Sequence, residues 1–129
     1  MRAPTAAERE LHGLAEAAIG RAHAPYSGFP VAAAVRARDG STWVGVNVEN
    51  ASYGLTICAE RAAVFAAVAA GHRELDAIAV HAPVATAAPC GACRQVLREF
   101  GGDIVVVFPR EGELVAATVD ELLPVAFEL

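Results

Sequence analysis

Cys58-Ala59-Glu60-Arg61-Ala62-Ala63 and, further along, Pro89-Cys90-Gly91-Ala92-Cys93 hold every cysteine of this chain. Three thiolates suit Zn²⁺ and leave one tetrahedral position free for water, which is the layout of a catalytic site. Glu60 follows the first cysteine by two, so its carboxylate can hang over that open position and carry the water's proton. Each cluster opens a predicted helix, over 58–70 and 90–100. The partial positive charge at a helix start favours thiolate over thiol. Cys90 and Cys93 are three apart and share one side of a turn. Cys58 comes from the other helix, and the two can meet if the strands before them lie side by side. A closed structural zinc needs a fourth protein ligand. His12, His23, His72 and His81 are the histidines present, and none stands at ligand spacing from a cysteine. Ordinary surface or capping roles are expected for all four, and a Cys-x-x-Cys redox pair is the weaker reading of Cys90 and Cys93.

Working outward, Gly71 stops the first of these helices and Gly101-Gly102 the second. Thr5-x-x-Glu8 is a capping box, and Leu11, Leu14, Ala15, Ile19 and Ala22 recur at helical spacing behind it, predicting a helix over 5–23. Pro25-Tyr26-Ser27-Gly28-Phe29-Pro30 is a loop. Strands are predicted over 31–35 and 43–49, joined by a tight turn at Asp39-Gly40, and a looser stretch over 50–57 leads to Cys58. Residues 76–81 read as a buried strand and 82–89 as a loop. Two more strands, 104–108 and 114–118, flank Arg110-Glu111-Gly112. A second capping box, Thr118-x-x-Glu121, opens a short last helix that Pro124 cuts off. The order α-β-β-α-β-α-β-β-α, without repeat or linker, predicts an α/β fold with a five-stranded mixed sheet and helices on its faces.

The 129 residues leave room for a single domain, 1–129. Hydrophobic residues make up 55% of the chain, much of it alanine, which lets elements pack closely and fits a protein that hides further apolar surface between subunits. The formal charge of −5, with no basic patch or tail, argues against nucleic-acid and anionic-membrane binding. No stretch reads as a signal peptide or a membrane span, and the odd cysteine count gives no disulfide framework. A cytoplasmic location is expected.

A three-cysteine zinc site with a non-ligand Glu as general acid and base is a signature of zinc deaminases. Four co-linear blocks narrow the match: Cys58-Ala59-Glu60-Arg61-Ala62-Ala63, Pro89-Cys90-Gly91-Ala92-Cys93-Arg94-Gln95, Asn47-Val48-Glu49-Asn50-Ala51-Ser52-Tyr53 and Leu122-Leu123-Pro124-Val125-Ala126-Phe127. Together they resemble the small homotetrameric cytidine deaminases, from about Pro25 to Phe127. That resemblance implies a cytidine-deaminase-like three-layer α-β-α sandwich. It implies one Zn²⁺ per chain on Cys58, Cys90 and Cys93, with water or hydroxide as fourth ligand. It also implies deamination of cytidine and 2′-deoxycytidine to the uridines and ammonia, in pyrimidine salvage.

Residue by residue, the resemblance makes Glu60 the catalytic acid and base, protonating N3 and then the departing ammonia. Arg61 is similar to a residue that hydrogen-bonds the thiolates and draws charge off them. Zinc, three thiolates and a hydroxide sum to about −2, so positive charge nearby is needed. Asn47 and Glu49, two apart on a predicted strand, leave from one face and suit a sugar hydroxyl; the matching family pair clamps the ribose 3′-hydroxyl. Phe29 resembles a residue that packs on the pyrimidine. Tyr53 and Phe127 resemble residues that serve a neighbouring subunit's site, and Ala51 and Ala59 complete the implied substrate contacts. The shared sites imply a homotetramer. Two other readings remain: a deaminase of another aminopyrimidine such as a blasticidin-type nucleoside, against which the Asn47/Glu49 pair argues, and a non-catalytic structural zinc module, which has no use for Glu60. Nucleic-acid editing is disfavoured by the acidic charge and the lack of long extra loops.

Overall fold

The computed structural model describes residues 1–129. Thr5 caps α1 (Ala6–Ala18) by accepting a hydrogen bond from the Glu8 N–H. The expected box is only half made, because the buried Glu8 carboxylate pairs with Arg2 at 2.8 Å instead of turning back to Thr5. The helix read to residue 23 stops at Ala18, where the chain tightens into a 3₁₀ turn, Ile19–Arg21. The hairpin β1 (Ala32–Ala37) and β2 (Thr42–Val46) turns at Asp39-Gly40, with Gly40 at φ 91°.

The second strand, read as far as Glu49, ends at Val46. Beyond it Val48 makes only isolated bridges to His23 and Ile57. Asn47 and Glu49 therefore do not share a strand face, and the spacing argument for them is corrected. A 3₁₀ turn, Tyr53–Leu55, leads to α2 (Ala59–Ala69). Gly71, at φ 96°, donates to Val68 O while the His72 N–H reaches Ala67 O, the paired bonds of a left-handed helix end. β3 (Leu75–His81), α3 (Gly91–Phe100), β4 (Val105–Arg110), β5 (Glu113–Thr118) and α4 (Val119–Leu122) follow, the last opened by a complete Thr118/Glu121 capping box.

The sheet runs β2-β1-β3-β4-β5, with β3 and β4 parallel and the other neighbours antiparallel. Helix α1 covers one face, and α2 and α3 the other, as the three-layer expectation has it. One expectation fails. The strands preceding the cysteine helices, β2 and β3, are not neighbours, because β1 lies between them. The helices meet because α2 lies over β2 and β1 and reaches α3. Gly45 permits that approach: a Cβ there would stand 2.3 Å from Ala63 N and 2.6 Å from Ala59 O. Backbone thus rests on backbone, which only glycine allows.

The α2/α3 face is filled by Leu75, Ile78, Leu97, Ile104, Val106 and Phe108 among others. Under α1 the core has nine buried residues, Leu11, Val107 and seven alanines. The histidines are not all surface or capping groups. His12 is 9% exposed and packs edge-on against His81, with ring centroids 5.1 Å apart. His72 lies against Trp43 at 4.5 Å and 3.6 Å from the Asp39 carboxylate.

Candidate functional site

Cys58 is the N-cap residue of α2 and Cys90 that of α3, and neither helix has a conventional side-chain cap. With Cys93 one turn into α3, three sulfurs converge. Cys58 Sγ and Cys90 Sγ are 4.0 Å apart, and Cys90 Sγ and Cys93 Sγ 3.5 Å. All three fall within 4.8 Å of one another. Zn–S bonds of about 2.3 Å in a tetrahedron put sulfurs about 3.8 Å apart. The observed separations bracket that value, so the donor set fits zinc in both chemistry and size. No histidine joins the set.

The local charge is arranged to match. Arg61 Nη2 donates to Cys58 Sγ at 3.1 Å. A hydrogen bond from Cys93 and the Arg61 guanidinium bring the Cys58 thiol down to about 5. Its hydrogen bond to Cys58, together with burial, pushes the Cys93 thiol up. Burial at 5% exposure raises the Glu60 carboxyl above its ordinary value, and the Cys58 thiolate adds to the shift. A carboxyl moved upward in this way is better suited to accept and return a proton than an ordinary one.

A cavity of about 320 Å³ opens in front of the cluster. Cys58, Cys90 and Glu60 line its inner end, and Ala59, Asn47 and Phe29 are on its walls. The size is at the lower end of small-molecule sites. Asn47 does not present a free amide: it donates to Phe29 O at 2.8 Å and accepts from Val31 N at 2.9 Å. Both bonds hold the Phe29 loop over the cavity. Glu49 plays the same part on the other flank of that loop, accepting from Tyr26 N and Ser27 N at 3.0 Å each and from Ser27 Oγ. Those bonds, chiefly from Ser27, hold its carboxyl below the usual range.

Glu49 and Tyr53 line an adjoining cavity with Tyr26, Ser27 and Thr56. Thr56 lines both cavities. Tyr53 is 75% exposed and meets Tyr26 edge-on at 6.0 Å. Ala51 is exposed in the loop before it. Phe127 does not reach this chain's own cysteine cluster. It is 70% exposed, its backbone clamped in both directions by the Gln95 side chain. Sequence reasoning gave Ser27, Thr56, Arg94 and Gln95 no part. Arg94 donates to Pro89 O and Leu122 O, each at 2.8 Å, and so fixes the turn before Cys90 to the chain end. A Pro-Cys-x-x-Cys-Arg-Gln run carried that signal, but only the folded chain brings Leu122 and Phe127 beside it.

Residues 6–108 match the family model described as the cytidine and deoxycytidylate deaminase zinc-binding region. Cytidine deaminase of Halalkalibacterium halodurans is 50% identical over 109 residues, covering 82% of this chain and 83% of that protein. The same enzyme of Sporosarcina psychrophila is 47% identical over 110 residues, covering 83% and 81%. Among solved structures, cytidine deaminase from Burkholderia pseudomallei superposes with a TM-score of 0.88 at 48% identity, over 92% of this chain and 98% of that one.

Proposed function

The chain belongs to the cytidine and deoxycytidylate deaminase family, and on that premise we propose that it deaminates cytidine and 2′-deoxycytidine hydrolytically, releasing ammonia. The observation that carries the proposal is one cluster: three sulfurs at zinc spacing beside a buried Glu60 whose carboxyl burial raises, with Cys58, Cys90 and Glu60 facing a single cavity. Zinc bound to Cys58, Cys90 and Cys93 supplies an acidified water for attack on C4. Everything else falls to the chain. Glu60 takes one proton of the attacking water and gives it to the ring nitrogen N3, then takes the proton of the hydroxyl now on C4 and delivers it to the amino group, so that the C4 carbonyl forms as ammonia leaves. One carboxylate serves as base and then as acid. Arg61 keeps charge from accumulating on the sulfurs.

Phe29 and Ala59 bound the slot for the pyrimidine. Asn47 and Glu49 hold the loop that forms its wall, with the sugar directed toward the Glu49 flank and Ala51. Exposed Tyr53 and Phe127 are read as contributions to a neighbour's site, which makes the working unit a homotetramer and residues 1–129 one catalytic domain. No helix is long and apolar enough to cross a membrane. Three free thiols suit the reducing cytoplasm, where we place the enzyme and its role in pyrimidine salvage.

The deciding experiment follows the ultraviolet absorbance of cytidine with purified protein and measures zinc in the same sample. Conversion to uridine with about one zinc per chain is the expected result. Bound zinc with cytidine unchanged would overturn the substrate, and a panel of other aminopyrimidines, blasticidin-type nucleosides included, would then identify the true one. Turnover undiminished after complete removal of zinc would overturn the mechanism.

A further inference from the structure

On the face of the sheet opposite the cysteine cluster, His12 and Glu16 stand one turn apart on α1, and His81 ends β3 beneath them. One donor atom from each lies within 4.8 Å of the other two. His12 is nine-tenths buried, and its Nε2 has no hydrogen-bond partner. A buried imidazole nitrogen left unpaired costs free energy unless something occupies it. His81 Nδ1 is 4.0 Å from a Glu16 carboxylate oxygen, beyond a hydrogen bond. The two rings meet edge to centre, and no direct bond joins them. The group is thus gathered but internally unsatisfied.

We propose that His12, Glu16 and His81 form a second metal site, for a divalent transition ion of the Zn²⁺ type, distinct from the cysteine cluster. Two imidazoles and one carboxylate are a donor set that such ions accept, with the remaining positions left to water. The residues are placed for it: an i, i+4 pair on a helix projects to one side, and the sheet supplies the third donor from below. Zn–N and Zn–O bonds of about 2.1 Å put donors about 3.4 Å apart in a tetrahedron. The present spread is looser, and Glu16 is the arm that closes it. Its side chain is 63% exposed and free to swing, whereas that of His81 is only 20% exposed. Bound there, an ion would tie α1 to the end of β3. The loop leaving β3 at His81 leads directly to Cys90, so the ion would brace the platform beneath one cysteine ligand without touching substrate.

The inference does not depend on the deaminase reading, and its test separates the two. Protein loaded with one zinc per chain is dialysed against a several-fold excess of Zn²⁺ and then metal-free buffer, and metal content and thermal midpoint are measured. Wild type is expected to hold a second equivalent and to melt higher with it. Glu16→Gln, at an exposed position that the fold tolerates, and His81→Gln are expected to hold one equivalent, to show no rise in midpoint, and to deaminate cytidine as wild type does. Co²⁺ offered as the second equivalent should give visible bands without the intense sulfur-to-metal absorption of a thiolate site. A wild type that never exceeds one equivalent overturns the proposal. So does a second equivalent that survives in both variants, or one that carries thiolate absorption.

Discussion

The two faces of the sheet are built on opposite rules. Under α1 the floor is nearly all alanine, and the helix lies close because there is little between it and the strands. Over the other face Leu75, Ile78, Ile104, Val106 and Phe108 hold α3 off the sheet, whereas α2 lies close over β1 and β2. At Gly45 α2 comes down to backbone contact. At one end of this face the helix starts carrying Cys58 and Cys90 converge and the cavity opens. In open α/β sheets, ligands bind outside the carboxyl ends of parallel strands, and Cys90 follows the carboxyl end of β3. Packing on the thick face leaves a gap, and that gap is where the chemistry is placed.

The comparison breaks most sharply at Glu60. Glu60→Ala on the thick face is expected to lower kcat by about 10²–10⁴-fold or more while zinc content and fold are kept; activity near wild type would remove Glu60 from the reaction. Next is a contrast of added methyls. Gly45→Ala must push α2 from β2 and is expected to cost about 1–3 kcal/mol or more, together with zinc and turnover, since Cys58 and Glu60 ride on that helix. Ala79→Val, buried in the alanine floor, is expected to cost a similar 1–3 kcal/mol or so yet leave kcat per folded molecule unchanged. Denaturant melts with zinc analysis on both variants check this, and equal loss of activity would mean that the faces are not separable.

Smaller effects sharpen the picture. Arg61→Gln removes the guanidinium from Cys58 and is expected to weaken zinc retention by about 10–100-fold, measured by competition with a chelator; unchanged retention would make Arg61 a packing residue. Phe127→Ala is expected to raise KM for cytidine by roughly tenfold. Mixed oligomers of Phe127→Ala and Glu60→Ala chains should regain sites with wild-type KM if Phe127 serves a neighbour. Failure of that rescue would confine its role to its own chain.

How much of this was legible in the sequence depended on the range of the interaction. Helices α2 and α3, the glycine stops and the cysteine set are local patterns, and they stand where the chain's own punctuation puts them. The sheet order was not local. Nothing in the spacing of β2 and β3 reveals that β1 lies between them, and a single glycine's contact with Ala63 appears only once α2 is laid across. The strand over-read to Glu49 has the same origin: Val46, Asn47, Val48 and Glu49 alternate as a strand does, but the backbone partners of the last three are Val31, His23 and Ile57, outside any ladder. His12 was misjudged because α1 lies so close to its alanine floor that a polar residue beside the apolar stripe is covered too.

Glu49 shows what such a misreading changes. As one of two neighbours on a strand, it is a sugar clamp and nothing more. As the acceptor of two backbone N–H groups and the Ser27 hydroxyl, it also anchors the loop bearing Phe29. These bonds favour the charged form, so the folded carboxyl titrates below its ordinary range. Its contribution to holding the loop is therefore complete above the ordinary carboxylate range and is lost only as pH falls through the lower folded value. Glu49→Gln is neutral at every pH. It is expected to raise KM by a few-fold, with no further dependence on acid from this position, while wild type keeps its KM until the pH is below the usual carboxylate range. KM profiles of the two proteins, taken over acid conditions in which both remain folded, make the test. Parallel profiles would mean that the loop stands without Glu49, leaving the carboxylate to the sugar alone.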